Sequence, residues 1–453
     1  MIWANFLHFY QPPTQKKYWV ERITKESYRP ILRGMLEHPR ARTTMNINSV
    51  LVELWDRYGA TDVIDLVRQL LQRGQIELTG SAKFHPLLPR LPETEIVRQI
   101  ELNTAAHRHY FGPLYQPRGF FPPEMGISET VAKVVAGQGF GWIIVDELSF
   151  QRREGQVEYH QVYQVRGAEP LRVFFRERKM SYKILSGQIG TGQLLIESLG
   201  PRLKKHEYLL TAMDGETFGH HRPGMEHLLF EIYESRLLET VLVSDLERRF
   251  PSVQAVPLLP ATWALMEKDL QRNVPFARWD DEGNVIHQRQ WELTNLAIAA
   301  IHHADPRSTG YEPARQLLDR ALHSDQYWWA SAKPWWSLEM MERGAKELRD
   351  VVNTAPGATA AQRRQAQELY QQIVFTGFDW QREGIVETLA RQEDEEIRQR
   401  TDQSMPKLPP QELVKIIANL EKEMRLVSER QEFERAAQLR DRIKELRTYA
   451  AEV

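Results

Sequence analysis

The regular alternation of short apolar runs with amphipathic segments over the first 260 residues is the feature that most restricts the fold. The apolar runs are rich in Val, Ile, Phe and Leu, and the segments between them have helical spacing. This pattern is typical of repeated βα units around a parallel sheet or barrel. Seven strands are predicted, and they begin at Ile2, Thr43, Gln75, Arg118, Gly141, Leu171 and His206. The stretch 151–167 breaks the alternation and is interpreted as a small insertion. The predicted number of strands can therefore differ from seven by one.

Strand signals stop at about His287, and helical spacing follows, with a break at 353–359. We therefore predict a catalytic barrel over 1–286 and an all-helical region over 287–400 that completes the cleft. A polar linker, 399–410, contains three prolines and leads to two segments with three-four apolar spacing. These segments predict a helical hairpin over 411–450, which the linker should hold clear of the barrel.

Composition excludes several classes of function. The 59 basic and 61 acidic residues nearly balance, so we expect no nucleic-acid partner and no attraction to an anionic membrane. Cysteine is absent, which excludes disulfides, thiolate zinc sites and thiol catalysis. The N-terminal residues "MIWANFLHF" show no basic leader, and no apolar window reaches membrane-spanning length. We expect a cytoplasmic protein without a cofactor.

Polar side chains follow most of the predicted strands. Because the carboxyl ends of barrel strands converge on one face, these side chains should meet there and form the active site. They are His8, Tyr10 and Gln11 after the first strand, His85 after the third, Glu124 after the fourth, Asp146 and Glu147 after the fifth, and Asp214, Glu216 and His220 after the last. Asp146 also fits the simpler role of capping the next helix.

Glu124 and Asp214 are the strongest catalytic candidates. Ser128 is better placed than Glu124 to cap the helix that follows, and Asp214 ends an apolar run whose burial raises the pKa of a carboxyl group. Two carboxyl groups on neighbouring strand ends suit glycoside hydrolysis, in which one protonates the leaving oxygen and the other attacks carbon or activates water. The residues alone do not assign the two roles.

Four blocks of the sequence resemble glycoside hydrolase family 57: "HFYQP" (8–12), "GQIELTGSAKFHPLLP" (74–89), "GFFPPEMGIS" (119–128) and "MDGETFGHHRPG" (213–224). The resemblance implies an incomplete (β/α)7 TIM-like barrel of the α/β class, and action on α-glucans with retention of configuration. It implies that Glu124 is the nucleophile and Asp214 the acid/base, with His8 and His85 lining the sugar subsite. The family's first block usually has a second His where this chain has Tyr10, which bears on specificity.

Further residues are predicted to bind substrate. They are Gln11, Glu77, Glu216, His220, Trp279 and Trp329. Glu77 lies inside a strand and has the alternative role of a structural hydrogen-bonding partner. In each of the pairs Trp328–Trp329 and Trp335–Trp336, adjacent helical positions cannot face the same way, so one member belongs to the core and the other can stack on sugar.

Several activities share these residues. Our first choice is an α-amylase or amylopullulanase-like hydrolase that cleaves α-1,4 and, in the second case, α-1,6 bonds; the alternatives are a 4-α-glucanotransferase and a branching enzyme. Zinc held by Asp214 and His220 is a less favoured alternative, since compact His-rich ligand spacing is missing from the sequence, and we expect no metal. A non-catalytic glucan-binding or interaction protein that carries the hairpin is the rival from another class.

The last forty residues, including "FERAAQLRDRIKELR", resemble the UVR motif, a helical hairpin that binds other proteins or a second copy of itself. The resemblance implies self-association or a protein partner through 411–450. The alternative is a plain surface hairpin packed on the chain's own helical region. Two short helices bury too little apolar surface to be stable alone, so the apolar stripe of this hairpin needs cover.

Overall fold

A computed structural model describes residues 1–404, 410–429 and 433–452. Within these ranges the strands are β1 (Ile2–Phe9), β2 (Thr43–Ile47), β3 (Ile76–Leu78), β4 (Gly119–Phe120), β5 (Trp142–Asp146), β6 (Val162–Val165), β7 (Arg172–Arg176), β8 (Tyr208–Asp214), β9 (Glu239–Val241) and β10 (Val253–Val256). The seven predicted strands are confirmed as β1–β5, β7 and β8. The predicted insertion contains β6.

Seven parallel strands curl into an incomplete barrel. The order β3–β2–β1–β8 forms one sheet, and β7–β5–β4 forms the other. A parallel bridge between Gly80 and Phe120 connects β3 to β4. At the other seam, the backbone N–H of Glu177 donates to the carbonyl of Leu210 at 2.8 Å, just beyond β7. Outside this set, β6 pairs antiparallel with β7, β10 pairs with β6, and β9 pairs with the first residues of β1.

Helices cover the outside of the barrel. They are α1 (Lys17–Ile23), which continues through a π-helical segment (Thr24–Tyr28) into α2 (Arg29–Glu37), α3 (Ser49–Arg57), α4 (Thr61–Gln72), α5 (Glu93–Phe111), α6 (Glu129–Gly137), α7 (Arg178–Leu185), α8 (Gly192–Leu199), α9 (Glu226–Glu234), α10 (Leu246–Arg249) and α11 (Glu267–Gln271). Asn48, Ser128 and Thr191 accept hydrogen bonds from backbone N–H groups at the starts of α3, α6 and α8. Ser128 thus caps α6 as expected.

The predicted all-helical region consists of α12 (Val285–His302), α13 (Tyr311–Ala321), α14 (Asp325–Trp328), α15 (Leu338–Thr354), α16 (Ala360–Arg382) and α17 (Ile385–Ser404). The break predicted at 353–359 falls between α15 and α16. Buried side chains of α12, α13, α15 and α16 join the same apolar core as Phe6, Ile144 and Leu210 of the barrel strands. The helical region is therefore packed as part of the barrel rather than beside it.

The C-terminal segment forms the predicted hairpin of two antiparallel helices, α18 (Pro410–Glu429) and α19 (Phe433–Glu452). The expected linker is shorter than predicted, because α17 continues to Ser404; residues 405–409 lie outside the described part of the chain. The hairpin does not stand clear of the barrel, since Asn419 of α18 donates to the Glu231 carboxylate of α9 at 3.1 Å. Among the described residues, no helix is both long and apolar enough to cross a membrane.

Side-chain alternation along the strands decides what faces the barrel interior. In β1, Trp3, Leu7 and Phe9 pack into the outer core beneath the helices, while Ala4 and Phe6 pack into the inner core. Successive side chains of a strand point to opposite faces, so His8 shares the inner face with Ala4 and Phe6. The same alternation in β8 puts Asp214 on the inner face with Leu210 and Ala212.

Candidate active site

Glu124 is held in an unusual backbone conformation just after β4. It occupies a 3-10 turn, Pro123–Met125, with φ of 58°, a region that side-chain-bearing residues rarely adopt. The backbone N–H of Trp263 donates to the Glu124 carbonyl at 3.1 Å, and the Trp263 indole N–H donates to Glu124 Oε2 at 2.8 Å. Left-handed backbone at a non-glycine residue costs about 1–3 kcal/mol and persists where the surroundings enforce it. Trp263 supplies that enforcement through two hydrogen bonds.

Asp214 ends β8 and lies beside β1. Its Cα is the register partner of His8 in the parallel ladder, so both side chains meet at the same level of the inner face. Burial raises the pKa of Asp214 to about 7, the Glu216 carboxylate adds to the rise, and the Arg176 guanidinium opposes it. Asp214 therefore exchanges its proton near neutral pH, as an acid/base residue must.

The two carboxyl groups influence each other. Burial raises the pKa of Glu124 to about 8, and the charge on Asp214 contributes to the rise, whereas the Trp263 hydrogen bond opposes it. Two interacting carboxyl groups titrate as a pair, so near neutral pH they hold about one proton between them. Because the pKa of Glu124 lies above that of Asp214, this proton resides mainly on Glu124, and double displacement uses the less populated form with the proton on Asp214 and the charge on Glu124.

His8 and His85 form the wall next to this pair. Their Nε2 atoms are 3.1 Å apart, and His8 Nδ1 lies 2.9 Å from Asn46 Oδ1. Burial lowers the pKa of His85 to about 4, and burial together with the proximity of His85 lowers the pKa of His8 well below its ordinary value. Both rings are therefore neutral at pH 7 and can share a proton between their Nε2 atoms. His85 Nδ1 also lies 3.6 Å from Glu124 Oε1, so these predicted site residues are brought together.

Tyr10 joins the site to the helical region. Its ring stacks on His85 at 4.0 Å, and its hydroxyl donates to Asp325 Oδ2 at 2.6 Å. Burial favours the neutral form of Asp325, but His323, His85 and the Tyr10 hydrogen bond together lower the pKa of Asp325 below its ordinary value. A second carboxylate, ionised and fixed by Tyr10, thus lies beside His85 and near Glu124.

Asp325, Ser324 and Trp263 are site residues that the sequence analysis missed. Ser324 Oγ lies 3.2 Å from His85 Nδ1, so two consecutive residues of the helical region contact the site. None of the three follows a barrel strand of the predicted set. A usable signal was the position of Ser324 and Asp325 just before the tryptophan-rich stretch "YWWASAKPWW" (327–336).

Glu216 lies on the next turn after Asp214, with its carboxylate held by two donors. Glu216 Oε1 accepts from the Tyr28 hydroxyl at 2.6 Å and from Gln11 Nε2 at 2.5 Å. Burial raises the pKa of Glu216, and the Tyr28 hydrogen bond opposes the rise. The predicted site residues Gln11 and Glu216 thus contact each other, and the charge of Glu216 raises the pKa of Asp214.

His220 pairs with Glu26 of the π-helical segment. Its Nδ1 lies 2.6 Å from Glu26 Oε2. In the described residues, Glu216, His220 and His221 form one group whose ligand atoms lie within 4.8 Å of one another. Asp214 is not a member, so the ligand pair considered for zinc is not assembled. Glu216 accepts a hydrogen bond from Tyr28, and His220 pairs with Glu26. The absence of a metal stays a prediction.

Two predicted substrate-binding residues lie elsewhere. The Glu77 carboxylate accepts from the Thr44 hydroxyl at 2.7 Å and from the Ser244 backbone N–H at 3.0 Å, which is the structural role that the sequence left open. Trp279 is fully buried and packs on Trp328 with ring centroids 5.1 Å apart. Sugar cannot stack on a ring without exposed surface, so the prediction for Trp279 is wrong. The sequence around Trp279 shows no periodicity from which its burial could be predicted.

The tryptophan pairs divide into core and surface members, but the predicted helical spacing does not apply, because Trp335 and Trp336 lie outside any helix and Trp329 follows the end of α14. Trp328 and Trp336 pack against the inner core. Trp329 contacts Trp335 edge to face at 5.9 Å, and Trp335 is 49% exposed. Trp329 follows α14, whose first residue is Asp325, so an aromatic surface begins within one helical turn of the site.

Asp146 and Glu147 have structural roles. Asp146 accepts from the Leu148 backbone N–H at 3.0 Å, as the capping reading predicts, and also binds Arg176 at 3.0 Å and Arg178 at 2.8 Å. Glu147 accepts from the backbone N–H groups of Arg178 and Gly155. The Asp146 cluster reaches the site indirectly, because Arg176 Nε also donates to the carbonyl of Ala212 on β8 at 2.7 Å.

Comparison with known proteins gives two family matches. The model described as glycosyl hydrolase family 57 matches residues 6–258, and the UvrB/uvrC motif matches residues 415–449. The chain is 28% identical over 232 residues to an α-amylase of Pyrococcus horikoshii, covering 50% of this chain and 36% of that protein. It is 26% identical over 189 residues to a 4-alpha-glucanotransferase of Thermococcus kodakarensis, covering 41% and 28%. It thus spans about a third of the length of these relatives.

Solved structures support the fold. A branching enzyme of Thermococcus kodakaraensis superimposes with a TM-score of 0.63 at 15% identity, covering 83% of this chain and 96% of that one. A 4-alpha-glucanotransferase of Thermococcus litoralis gives a TM-score of 0.60 at 19% identity, covering 78% and 59%. The matched segment of the family model runs from the strand that carries His8, past Glu124 and Asp214, to just beyond β10. The chain belongs to glycosyl hydrolase family 57 and carries a UvrB/uvrC motif in its C-terminal hairpin.

Proposed function

We propose that this protein is a retaining α-glucan-active glycoside hydrolase of the α-amylase or amylopullulanase type, which cleaves α-1,4 bonds and, in the latter case, α-1,6 bonds. The observation that carries the proposal is the pair Glu124 and Asp214, two carboxyl groups whose pKa values are raised by burial and by charge on neighbouring carboxyl groups. A raised pKa lets Asp214 hold a proton near neutral pH and give it to the leaving oxygen, while the ionised form of Glu124 is the one that attacks.

The reaction proceeds in two displacements. Glu124 attacks the anomeric carbon while Asp214 gives its proton to the departing glycosidic oxygen, so a glycosyl ester forms on Glu124 and the C–O bond to the leaving chain breaks. Asp214, now a carboxylate, then takes a proton from water as the water oxygen attacks the same carbon. The ester bond breaks, Glu124 leaves as a carboxylate, and Asp214 is protonated again.

The surrounding residues suit recognition of a neutral, hydroxyl-rich ligand. His8 and His85 are neutral, so they offer hydrogen-bond donors and acceptors without fixed charge. Gln11 and Glu216 supply an amide and a carboxylate beside Asp214. We propose that Trp329, with Trp335, stacks on sugar rings that extend from the catalytic pair.

The assignment is tested by Glu124→Gln and Asp214→Asn, assayed separately on soluble starch, pullulan and maltooligosaccharides. We expect each variant to lose at least about 10³-fold in kcat/KM while its melting temperature stays equal or rises, because only the reacting groups change. The exposed Glu129→Gln is the matched control. Near-native activity in both variants would refute the assignment and favour a glucan-binding or interaction protein that has lost catalysis.

A 4-α-glucanotransferase is the second candidate, with a branching enzyme behind it. These activities use the same ester on Glu124, but a sugar hydroxyl replaces water in the second displacement. The aromatic surface formed by exposed Trp335 and half-buried Trp329 favours this candidate, because it could hold an acceptor chain. Chromatography of products from maltotriose separates the reactions: longer oligosaccharides indicate transfer, and glucose with maltose alone indicates hydrolysis.

For the hairpin, we propose self-association through a second copy of 411–450. Val414 and Phe433 are 66% and 65% exposed and provide apolar surface for a partner helix. Light scattering of the full chain tests this, with Phe433→Asp expected to reduce the particle mass to that of a monomer. Equal particle masses for wild type and Phe433→Asp would contradict self-association through this surface.

We also propose that the protein acts in the cytoplasm without nucleic acid, membrane or cofactor.

A further inference from the structure

The hairpin is a module with its own core. Leu413, Leu420, Val427, Leu439 and Ile443 pack among themselves in a cluster separate from the two cores of the barrel. The hairpin contacts the barrel from α18, through Lys415, Ile416, Asn419 and Leu420. A small contact between separately packed bodies can open without unfolding either of them.

The contact surface on the barrel is built around two glycines. A Cβ placed on Gly224 would lie 2.3 Å from Leu420 Cδ2, and one placed on Gly190 would lie 3.2 Å from Ile416 Cδ1. Asn419 donates to Glu231 Oε1, while Glu231 Oε2 accepts from the Gly192 backbone N–H at 2.7 Å. Lys415 donates to Gln193 beside this contact.

Gly224 closes the loop that begins directly after Asp214. The loop, 215–224, carries Glu216 and is packed closely at three glycines. Cβ atoms at these positions would lie 2.1 Å from Phe9, 2.1 Å from the Glu26 carbonyl and 2.3 Å from Leu420, at Gly215, Gly219 and Gly224 respectively. The first two contacts belong to the barrel. The third belongs to the hairpin, so the last turn of the loop is supported by a separable part of the chain.

We propose that the hairpin is a detachable clamp on the catalytic loop. When α18 is docked, it fixes the end of 215–224 and thereby the position of Glu216 beside Asp214; when α18 is released, the loop loosens and glucan cleavage slows. The inference rests on Asp214 being the acid/base residue of the proposed function. A protein that covers Ile416 and Asn419 competes with the barrel for α18, so binding to the hairpin regulates the enzyme.

The test introduces charge at the docking face of the full-length protein. Asn419→Asp removes the donor to Glu231 and places two carboxylates together, and Ile416→Asp buries a charge against Gly190. Ser428→Asp, on the same helix at an exposed position, is the matched control. The double variant Asn419→Asp with Glu231→Gln removes the repulsion and restores a donor, so it should dock again.

Hydrogen exchange of the segment 214–224 is measured first. It needs no substrate, so its result tests the clamp even if the enzyme acts on other sugars. We expect about tenfold faster exchange in Asn419→Asp and Ile416→Asp, wild-type exchange in Ser428→Asp, and restoration in the double variant. kcat/KM on maltooligosaccharides should fall about tenfold with the same pattern. Unchanged exchange in both docking variants overturns the clamp, and so does faster exchange with full activity. Circular dichroism confirms that the hairpin stays helical.

Discussion

Trp263 binds Glu124 twice, once through the two backbones and once through the indole N–H and the carboxylate. The first hydrogen bond fixes the strained turn, and the second orients the Glu124 carboxylate. The indole N–H also lowers the pKa of Glu124 against the larger rise that burial produces. A residue far along the chain therefore affects both the position and the charge of Glu124, the proposed nucleophile.

Trp263→Phe removes the donor and keeps most of the ring. Because the hydrogen bond lowers the pKa of Glu124, its loss raises that pKa and moves the acidic limb of the kcat/KM profile to higher pH. A hydrogen bond to a charged group contributes about 1.5–3 kcal/mol, so kcat/KM below pH 7 should fall roughly 10- to 100-fold. Trp380→Phe in the helical region serves as control. An unshifted acidic limb would show that the indole does not act on Glu124.

Arg176 is expected to influence the alkaline limb of the kcat/KM profile. Its guanidinium lowers the pKa of Asp214, against the rise caused by burial and Glu216. Arg176→Met should raise that pKa, keep the acid protonated to higher pH and move the alkaline limb of kcat/KM upward. Arg176→Lys retains the charge and should restore part of the profile. An alkaline limb that is the same in Arg176→Met and wild type would exclude this influence, provided that thermal melts show both to be folded.

Much of this arrangement could be predicted from the sequence, because strand alternation is a local property. Short apolar runs located the seven barrel strands, and the residue after each strand is necessarily near the carboxyl-terminal face. His8, His85, Glu124 and Asp214 were found in this way. Family resemblance then gave the roles of the two carboxyl groups, which spacing alone left open.

Residues whose position depends on tertiary packing could not be found from local pattern. Asp325 is the first residue of α14, and Trp263 lies in a turn beyond β10. Neither residue follows a predicted barrel strand, so the strand pattern does not indicate them. Trp279 was misassigned because an isolated aromatic residue has no periodicity to indicate burial. The docking of α18 depends on Gly190 and Gly224, since absent side chains are what create the space for Ile416 and Leu420.

Tyr10 is predicted to replace the usual family histidine by fixing Asp325. Tyr10→Phe should remove the 2.6 Å hydrogen bond but keep the stacking on His85. Loss of a hydrogen bond to a carboxylate lowers kcat/KM about 10-fold or more. In a double-mutant cycle with Asp325→Asn, the second substitution should lower kcat/KM much less than it does alone in the wild-type protein. Additive losses would mean that the two residues act separately.

Glu124 should destabilise the folded protein as pH rises. Its pKa is about 8 when folded and near 4.5 when unfolded, so the folded state holds more protons between these values and stability falls through this window. Glu124→Gln removes the titrating carboxyl group and therefore this loss of stability with rising pH. We expect its gain in unfolding free energy over wild type to grow from near zero at pH 4 to about 2–4 kcal/mol at pH 8. Denaturant unfolding at both pH values measures this, and a gain independent of pH would contradict the raised pKa.

The most direct test of the account is to trap the glycosyl-enzyme ester. The protein is incubated with an activated 5-fluoro-α-glucosyl fluoride, which slows the second displacement, and is then digested and sequenced by mass spectrometry. We predict one added fluoroglucosyl group, located on Glu124, with no labelling in Glu124→Gln. A label on another carboxyl group, or turnover of the reagent without any covalent adduct, would contradict the assignment of Glu124 as nucleophile.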